Sequence, residues 1–404
     1  MQKNIRIEII SILFKIQEFL LKNIELKENI ITLEVESVHK PICPVCGRKC
    51  SIYDSKIKKI KVAFLLGREI YMQFRLRRVK CKKCNRVLTE HLEFVDSKKS
   101  YSVYLGEEIV RYTKKLDNKS VAKITGMSES SIYRIDKDML SKKHKNYVSK
   151  LPEVRKMSID EVAYKRGHNY LTVFTDNERS KVICVEKGRK CINCLNGLSK
   201  LSSKLTNLEA VSMDLWKAYE KAVKYFFKGE VTVVFDKFHI SRLLNKAVEE
   251  ERRVYQKELS LQELVFVKKK MRWIILKRYD KLDLKGKEYI EKLKKLNSPL
   301  YEIYLLKEEF LSIFSKLYSV KEGLKMLINW TNTVLESNFK YLKRFAKKVI
   351  KKLDKLLNWF KYPISNGKSE GINNVIKTLL KRGYGYKDTE YLKLKILQIV
   401  GDLQ

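Results

Sequence analysis

Three short apolar runs of this chain each stop on an aspartate: Lys156 to Asp160, Ala210 to Asp214 and Val231 to Asp236. Buried strands that end this way deliver their carboxylates together to one edge of a sheet. Carboxylate oxygens are hard donors, the ligands that magnesium and manganese prefer. The chain carries 86 Lys and Arg against 47 Asp and Glu, a formal charge of +39. Acids gathered inside so basic a chain point to divalent cations facing a phosphate substrate, and so to an enzyme that cuts or joins nucleic acid. Glu370, at the start of a late helical stretch, completes a set of three with Asp160 and Asp214. Asp236 precedes Lys237-Phe238-His239, and three roles are open to it: a further metal ligand, a helix cap, or the partner that orients His239. Any one strand-end aspartate, taken alone, is more often a turn or cap residue. Their joint occurrence on a matching strand order is what carries the reading.

Of the eight cysteines, six form C-x-x-C pairs, a spacing that holds metal more readily than a disulfide in a chain without an export signal. Cys43 and Cys46 make one knuckle and Cys81 and Cys84 a second, with an antiparallel hairpin expected between them. Tetrahedral zinc takes two thiolates from each such knuckle, the layout of a zinc ribbon. Cys50 is a spare thiol, and Cys191 and Cys194 fall at i, i+3 on a helix face, a core position rather than a second metal site. Arg77, Arg78 and Lys80 lie on the approach to the second knuckle and suit phosphate contact.

The elements that must position these residues follow from periodicity. A helix is expected over Ile5 to Asn23 and a strand over Ile30 to Glu36. Helices over Val103 to Leu116, Ser120 to Thr125 and Ser130 to Leu140, with a Gly126-Met127-Ser128 turn, have helix-turn-helix spacing. The last of them would offer Ser130, Ser131, Tyr133 and Arg134 to a major groove. From Lys156 the pattern turns to three strands, a helix, a strand, a helix and a strand, the βββαβαβ order of a ribonuclease-H-like mixed α/β sheet, in which the first and fourth strands are neighbours. After Asp236 the chain is helical to about residue 360, an all-helical insertion placed at about 245–362, before a last helix carrying Glu370. The stretch Lys381 to Lys387 interleaves cations, glycines and tyrosines, and Lys381 and Arg382 suit a nucleic-acid backbone. Three domains are therefore expected: a zinc-ribbon domain over 1–97, a helix-turn-helix domain over 98–150 and a catalytic domain over 151–404.

With 44% hydrophobic and 10% aromatic residues the chain is globular rather than disordered. No apolar run approaches the roughly 20 residues needed to span a bilayer. Ile9 to Phe14 is too short and too charge-flanked for a secretory core, so a cytoplasmic, nucleoid-associated protein is expected. The charge alone would also suit RNA or an anionic membrane.

The motifs have a family pattern. The chain resembles the ISL-three family of bacterial insertion-sequence transposases, a branch of the DDE group with a ribonuclease-H-like catalytic domain. The likeness runs through Cys43-Pro44-x-Cys46-Gly47, Arg77-Arg78-x-x-Cys81, Ile159-Asp160-Glu161 and Gly167-His168-x-Tyr170. It continues through Gly188-Arg189, Val211-Ser212-Met213-Asp214, Phe235-Asp236-x-Phe238-His239 and Asn366-x-x-x-Glu370-Gly371-x-Asn373. The resemblance implies that Asp160, Asp214 and Glu370 are catalytic and hold magnesium or manganese, while Cys43, Cys46, Cys81 and Cys84 bind zinc. It also implies that the amino-terminal modules recognise terminal inverted repeats in double-stranded DNA, that 3′ ends are cut and joined to target DNA, and that at least a dimer acts on DNA. Two other readings stay open: a structure-specific metal-dependent nuclease, and a domesticated DNA-binding regulator.

Overall fold

The computed structural model describes residues 14, 16, 19–214, 216–257, 271–296, 298–364, 367–383 and 385–403. It divides into two compact units. Unit one takes the chain to Tyr147 together with Leu379–Ile399 and Leu403–Gln404, and unit two takes Val148–Thr378 with Val400–Asp402.

Unit one opens with strands β1 (Phe19–Lys27), β2 (Ile30–Ser37), β3 (Ser51–Leu65), β4 (Arg68–Cys81) and β5 (Arg86–Thr89). The sheet order is β1-β2-β4-β3, with β5 also paired to β4. The helix expected over Ile5 to Asn23 is corrected here, because residues 19–23 belong to β1; apart from residues 14 and 16, the rest of that stretch lies outside the described residues. Strand wins because alternate side chains, Phe19 and Leu21, turn inward. Phe19 meets Phe74 and Phe94 edge-on at 5.7 and 5.4 Å, and β1 pairs along β2. The expected hairpin is β3–β4, turned by Leu66 and Gly67, both at positive φ as a tight hairpin requires.

Three helices follow: α1 (Val103–Lys115), α2 (Asn118–Thr125) and α3 (Glu129–His144). Asp117 caps α2, Gly126 ends it at φ +67°, and Ser128 caps α3, so the expected helix-turn-helix spacing is present. A one-turn helix, α4 (Tyr147–Lys150), leads out of this group.

Unit two holds β6 (Lys156–Lys165), β7 (Asn169–Asp176), β8 (Lys181–Lys187), α5 (Cys191–Leu201), β9 (Ala210–Met213), α6 (Lys217–Phe226) and β10 (Thr232–Phe235). The sheet order is β10-β9-β6-β7-β8, a three-stranded antiparallel meander with two parallel strands added beside β6. The first strand of this sheet thus neighbours the fourth, as the sequence pattern predicts. Such a parallel connection through a helix suits strands buried on both faces, and all four residues of β9 are buried.

A helical block follows at once: α7 (Lys237–Tyr255), α8 (Met271–Leu276), α9 (Leu284–Lys295), α10 (Pro299–Ile313), α11 (Val320–Glu336), α12 (Lys340–Ile350) and α13 (Leu353–Lys361). Phe310 at its centre packs on Trp330 and Phe345 at 4.7 and 5.2 Å, and the Trp330 indole donates to the Leu306 carbonyl at 2.8 Å. The block returns to the sheet edge through Asn358, whose amide donates to the Val233 carbonyl at 2.8 Å. The last helices are α14 (Gly367–Arg382) and α15 (Thr389–Val400). None of the described helices is long and apolar enough to cross a membrane.

Candidate active site

The register of the second sheet sets the acids in a row. Ile159 of β6 pairs with Met213 of β9, and Met213 pairs with Phe235 of β10. Asp160, Asp214 and Asp236 are each the next residue, so the three stand at one level of the sheet; Asp214 and Asp236 directly follow the ends of β9 and β10, whereas the run expected to stop at Asp160 is corrected, because β6 continues to Lys165 through pairing with β7 and Asp160 lies within it, opposite Val173. The Asp236 amide still donates to the Met213 carbonyl at 3.1 Å, which carries the parallel pairing one step past β10.

His239 joins the row from the first turn of α7. Its Nδ1 lies 2.8 Å from Asp236 Oδ2 and its Nε2 lies 3.5 Å from Asp214 Oδ2. Asp236, 2% exposed, is thus in hydrogen-bond contact with His239. Burial alone would lower the His239 pKa, yet the hydrogen bond to Asp236 and the charges of Asp214, Asp236 and Asp160 win and raise it. Burial lifts Asp160 above the ordinary carboxylate range, against the Glu161 amide on Oδ1 at 2.7 Å and the charge of His239. A carboxylate in that condition gains from a nearby cation.

Asn373 supplies the tie between the sheet and α14. Its amide donates to Asp160 Oδ2 at 2.7 Å. Glu370 stands one turn earlier, in the first turn of α14, and is exposed. Residues three apart share a helix face, so the helix that carries Glu370 is docked through Asn373 on β6 at Asp160. Among the described residues, the four cysteines are the one group of three or more possible ligands whose donor atoms lie within 4.8 Å of one another. Asp160, Asp214 and Glu370 do not stand that close. Asn373 has no role in a reading by residue type, and its signal is the i+3 spacing from Glu370.

Glu161 turns to the other side of β6, as strand alternation requires. Its Oε1 accepts from Arg189 at 3.2 Å, and burial raises its pKa against that partner. His168 sits exposed in the β6–β7 turn at φ +62°. Cys194 is fully buried on α5, a core position as expected.

In unit one the four cysteine sulfurs converge. Cys43 Sγ lies 3.9 Å from Cys84 Sγ, and Cys46 Sγ lies 3.5 Å from Cys81 Sγ. Four sulfurs about 2.3 Å from a tetrahedral zinc would stand roughly 3.8 Å apart, so the donor set fits that ion. The Cys84 amide, 3.4 Å from Cys81 Sγ, pulls that thiol down to about 6, while its sulfur neighbours and burial push Cys84 up to about 12. Crowded thiolates of this kind call for a cation. Cys50 stays outside the cluster, its thiol directed at the Arg48 carbonyl at 3.4 Å.

The residues singled out for DNA divide into two sets. Lys80, Ser130, Arg134 and Lys381 are exposed, and Ser131 is half-buried beside its capping neighbour Ser128. Arg78 pairs with Asp54 and Arg382 donates to the Lys115 carbonyl. Arg77 is buried and spent inside the unit, on Glu90 at 2.6 Å and on the ring and carbonyl of His39. Tyr133 donates to Asp388 at 2.6 Å and packs edge-on against Tyr391.

Comparison with known proteins bears on this arrangement. The sequence profile of the ISL-three DDE transposases, described as a transposase, matches residues 157–396. The transposase for insertion sequence element IS1001 of Bordetella parapertussis is 24% identical over 360 residues, 88% of this chain and 87% of that protein. The transposase for insertion sequence element IS1557 of Mycobacterium tuberculosis is 22% identical over 284 residues, 63% of this chain and 62% of that one. Among solved structures, the Drosophila P element transposase strand transfer complex aligns over 74% of this chain and 92% of that chain, at 11% identity and a TM-score of 0.38.

Proposed function

This chain belongs to the ISL-three family of insertion-sequence transposases, and on that footing we propose that it cuts 3′ strands at the ends of an insertion sequence and joins the freed 3′-hydroxyls to target DNA. The second sheet is read as ribonuclease-H-like. The observation that carries this reading is the in-register row of Asp160, Asp214 and Asp236 with the Glu370 helix docked on it through Asn373.

Asp160, Asp214 and Glu370 would hold the divalent cations that DDE enzymes use, magnesium or manganese given the oxygen donors. Bound there, such cations supply Lewis acidity toward both the attacking and the leaving oxygen of an in-line displacement. Asn373 keeps Asp160 aimed out of the sheet, and Asp236 fixes the ring of His239 so that Nε2 faces Asp214. His239 is then the neutral-or-charged neighbour that steadies the site. Joining needs no further cofactor, because one phosphodiester replaces another.

In unit one, Cys43, Cys46, Cys81 and Cys84 bind zinc and stiffen the ends of the β3–β4 hairpin. Lys80, Ser130, Ser131, Arg134 and Lys381 face the inverted repeats of double-stranded DNA, Arg78 and Arg382 help at the margin, and Arg77 holds the ribbon in shape. Tyr133 braces the recognition helix against the C-terminal segment. Joining two element ends requires at least a dimer on DNA.

The test is a strand-transfer assay with labelled inverted-repeat ends and magnesium. Wild-type chain should nick and join. Asp214→Asn should lose both by at least about a thousand-fold while gel-shift affinity for the ends is kept. Hydrolysis without joining would point to a nuclease, and unaffected biological function of Asp214→Asn to a DNA-binding regulator.

A further inference from the structure

On the far side of Glu161, three planar groups are stacked. The Arg189 guanidinium lies 4.0 Å from the ring centroid of Tyr170 and 4.9 Å from that of Trp216. The Trp216 indole donates to the Arg189 carbonyl at 3.1 Å, which fixes the plane of the ring. Arg189 is in turn neutralised by Glu161, and one Glu161 oxygen is buried with no hydrogen-bond partner.

Trp216 is nevertheless 41% exposed, a costly way to leave a large aromatic side chain. Its α-carbon lies two residues past Asp214, at most about 7 Å along the chain. Tyr170 and Glu161 share the sheet face opposite Asp160, so a strand with its phosphodiester at Asp160 and Asp214 would bring a flanking nucleotide to Trp216 by passing round the sheet edge at Asp214. Because Arg189 already has its carboxylate, the stack offers a flat surface rather than a free phosphate fork. Nucleobases stack on aromatic and guanidinium planes without regard to sequence, and enzymes acting inside a duplex take a nucleotide out of the stack to reach it.

We propose that Tyr170, Arg189 and Trp216 form a stacking platform for one unpaired nucleobase of the DNA strand beside the acid row. The platform deepens the transposase reading, on whose substrate it rests. It receives the base next to the scissile phosphate, and the fixed indole keeps that nucleotide from returning to the duplex. Trp216 is on this account a binding residue, while Arg189 and Glu161 set its orientation.

Photocrosslinking tests this without any chemistry at the acids. Full-length chain is bound, in chelator, to a duplex with a short single-stranded gap whose unpaired positions carry 5-iodouracil, and to the same duplex fully paired. After irradiation, the crosslinked peptides are mapped by mass spectrometry. The platform predicts a crosslink in the peptide carrying Trp216 that depends on the gap. It should fall about ten-fold in Trp216→Ala, be largely kept in Trp216→Phe, and persist in Asp214→Asn. Equal crosslinking of paired and gapped duplex at this peptide, or crosslinks confined to aromatic residues outside the platform, would overturn it. If Trp216→Ala loses its fold, Trp216→Phe still decides: a yield unchanged by the gap sinks the platform. A gap-dependent crosslink in a chain that never cuts or joins would instead count against the transposase mechanism and leave the platform standing. Cutting and joining without any crosslink would do the reverse.

Discussion

At the scale of single residues, Asn373 is the side chain whose removal separates position from chemistry. It touches Asp160 and no reacting atom, so Asn373→Ala leaves every acid in place while freeing one of them to rotate. Partners that aim a ligand are commonly worth about ten- to a hundred-fold in metal affinity or activity. Asn373→Ala should therefore cut less, by about that factor, and need more magnesium to reach half its maximal rate. A magnesium titration of nicking rate reads this directly. A variant slowed at every magnesium concentration with an unmoved midpoint would mean the residue does something else. Asn373→Asp should be worse than Ala, since a second carboxylate would repel Asp160.

The element that invites a test is α15. It carries Lys395, 2% exposed, into unit one, where the ammonium meets the Asp136 carboxylate of α3 at 3.0 Å and the Thr113 carbonyl of α1 at 2.9 Å. Tyr391 and Thr113 complete the shell around Asp136, at 2.6 and 2.7 Å. Burial lowers the Lys395 pKa, and Asp136 opposes it. Lys395→Met strands a buried carboxylate, and breaking such a pair costs about 3 to 5 kcal/mol. The loss should show as faster amide exchange in Val103–Lys115, Glu129–His144 and Thr389–Val400, with unit two unchanged. Combining Lys395→Met with Asp136→Leu should restore part of the protection, because no charge is then left unpaired.

For the molecule as a whole, acid should be the weak side of the stability profile. In unit two, burial works against the Glu220 carboxyl, but Lys355 and Lys224 hold it at about 2. In unit one, Lys137 and Tyr133 hold Asp388 at about 2, again against burial. A carboxyl depressed on folding stabilises fully above its unfolded value of roughly 4, and that contribution is lost as pH falls toward 2. Glu220 also bridges α6 to Lys355 of α13 and to Lys352 just before that helix. Both sites are partly open to water, so each contributes modestly and is weakened by salt. Glu220→Gln should lower the melting temperature at pH 7, flatten its decline between about pH 4.5 and 2, and bring the two proteins together at the acid end. Parallel melting curves across that range would contradict the assignment.

How much of this was legible beforehand depends on how local the cause is. Runs ending at Asp214 and Asp236 show that acids leave buried strands, because burial and alternation are properties of a few consecutive residues, whereas Asp160 lies inside β6, which pairing with β7 extends to Lys165. The same holds for the paired cysteines and for Gly126 between Asp117 and Ser128, where capping is chemistry over three or four positions. The stretch before Asn23 failed for the complementary reason: its apolar spacing fits a helix, and only pairing with β2 and the Phe19–Phe74–Phe94 cluster makes residues 19–23 a strand. Arg77 and Tyr133 look like free DNA contacts until Glu90 and Asp388 are brought against them by folding. Likewise the tie of Asn373 to Asp160 and the return of α15 to the helices of unit one join residues far apart in the chain. Sequence alone determined which groups could do chemistry, since that is fixed by residue type and short spacing. Tertiary structure decided which of them are spent on one another, because a hydrogen bond between distant residues exists only after the entropy of bringing them together has been overcome by burial.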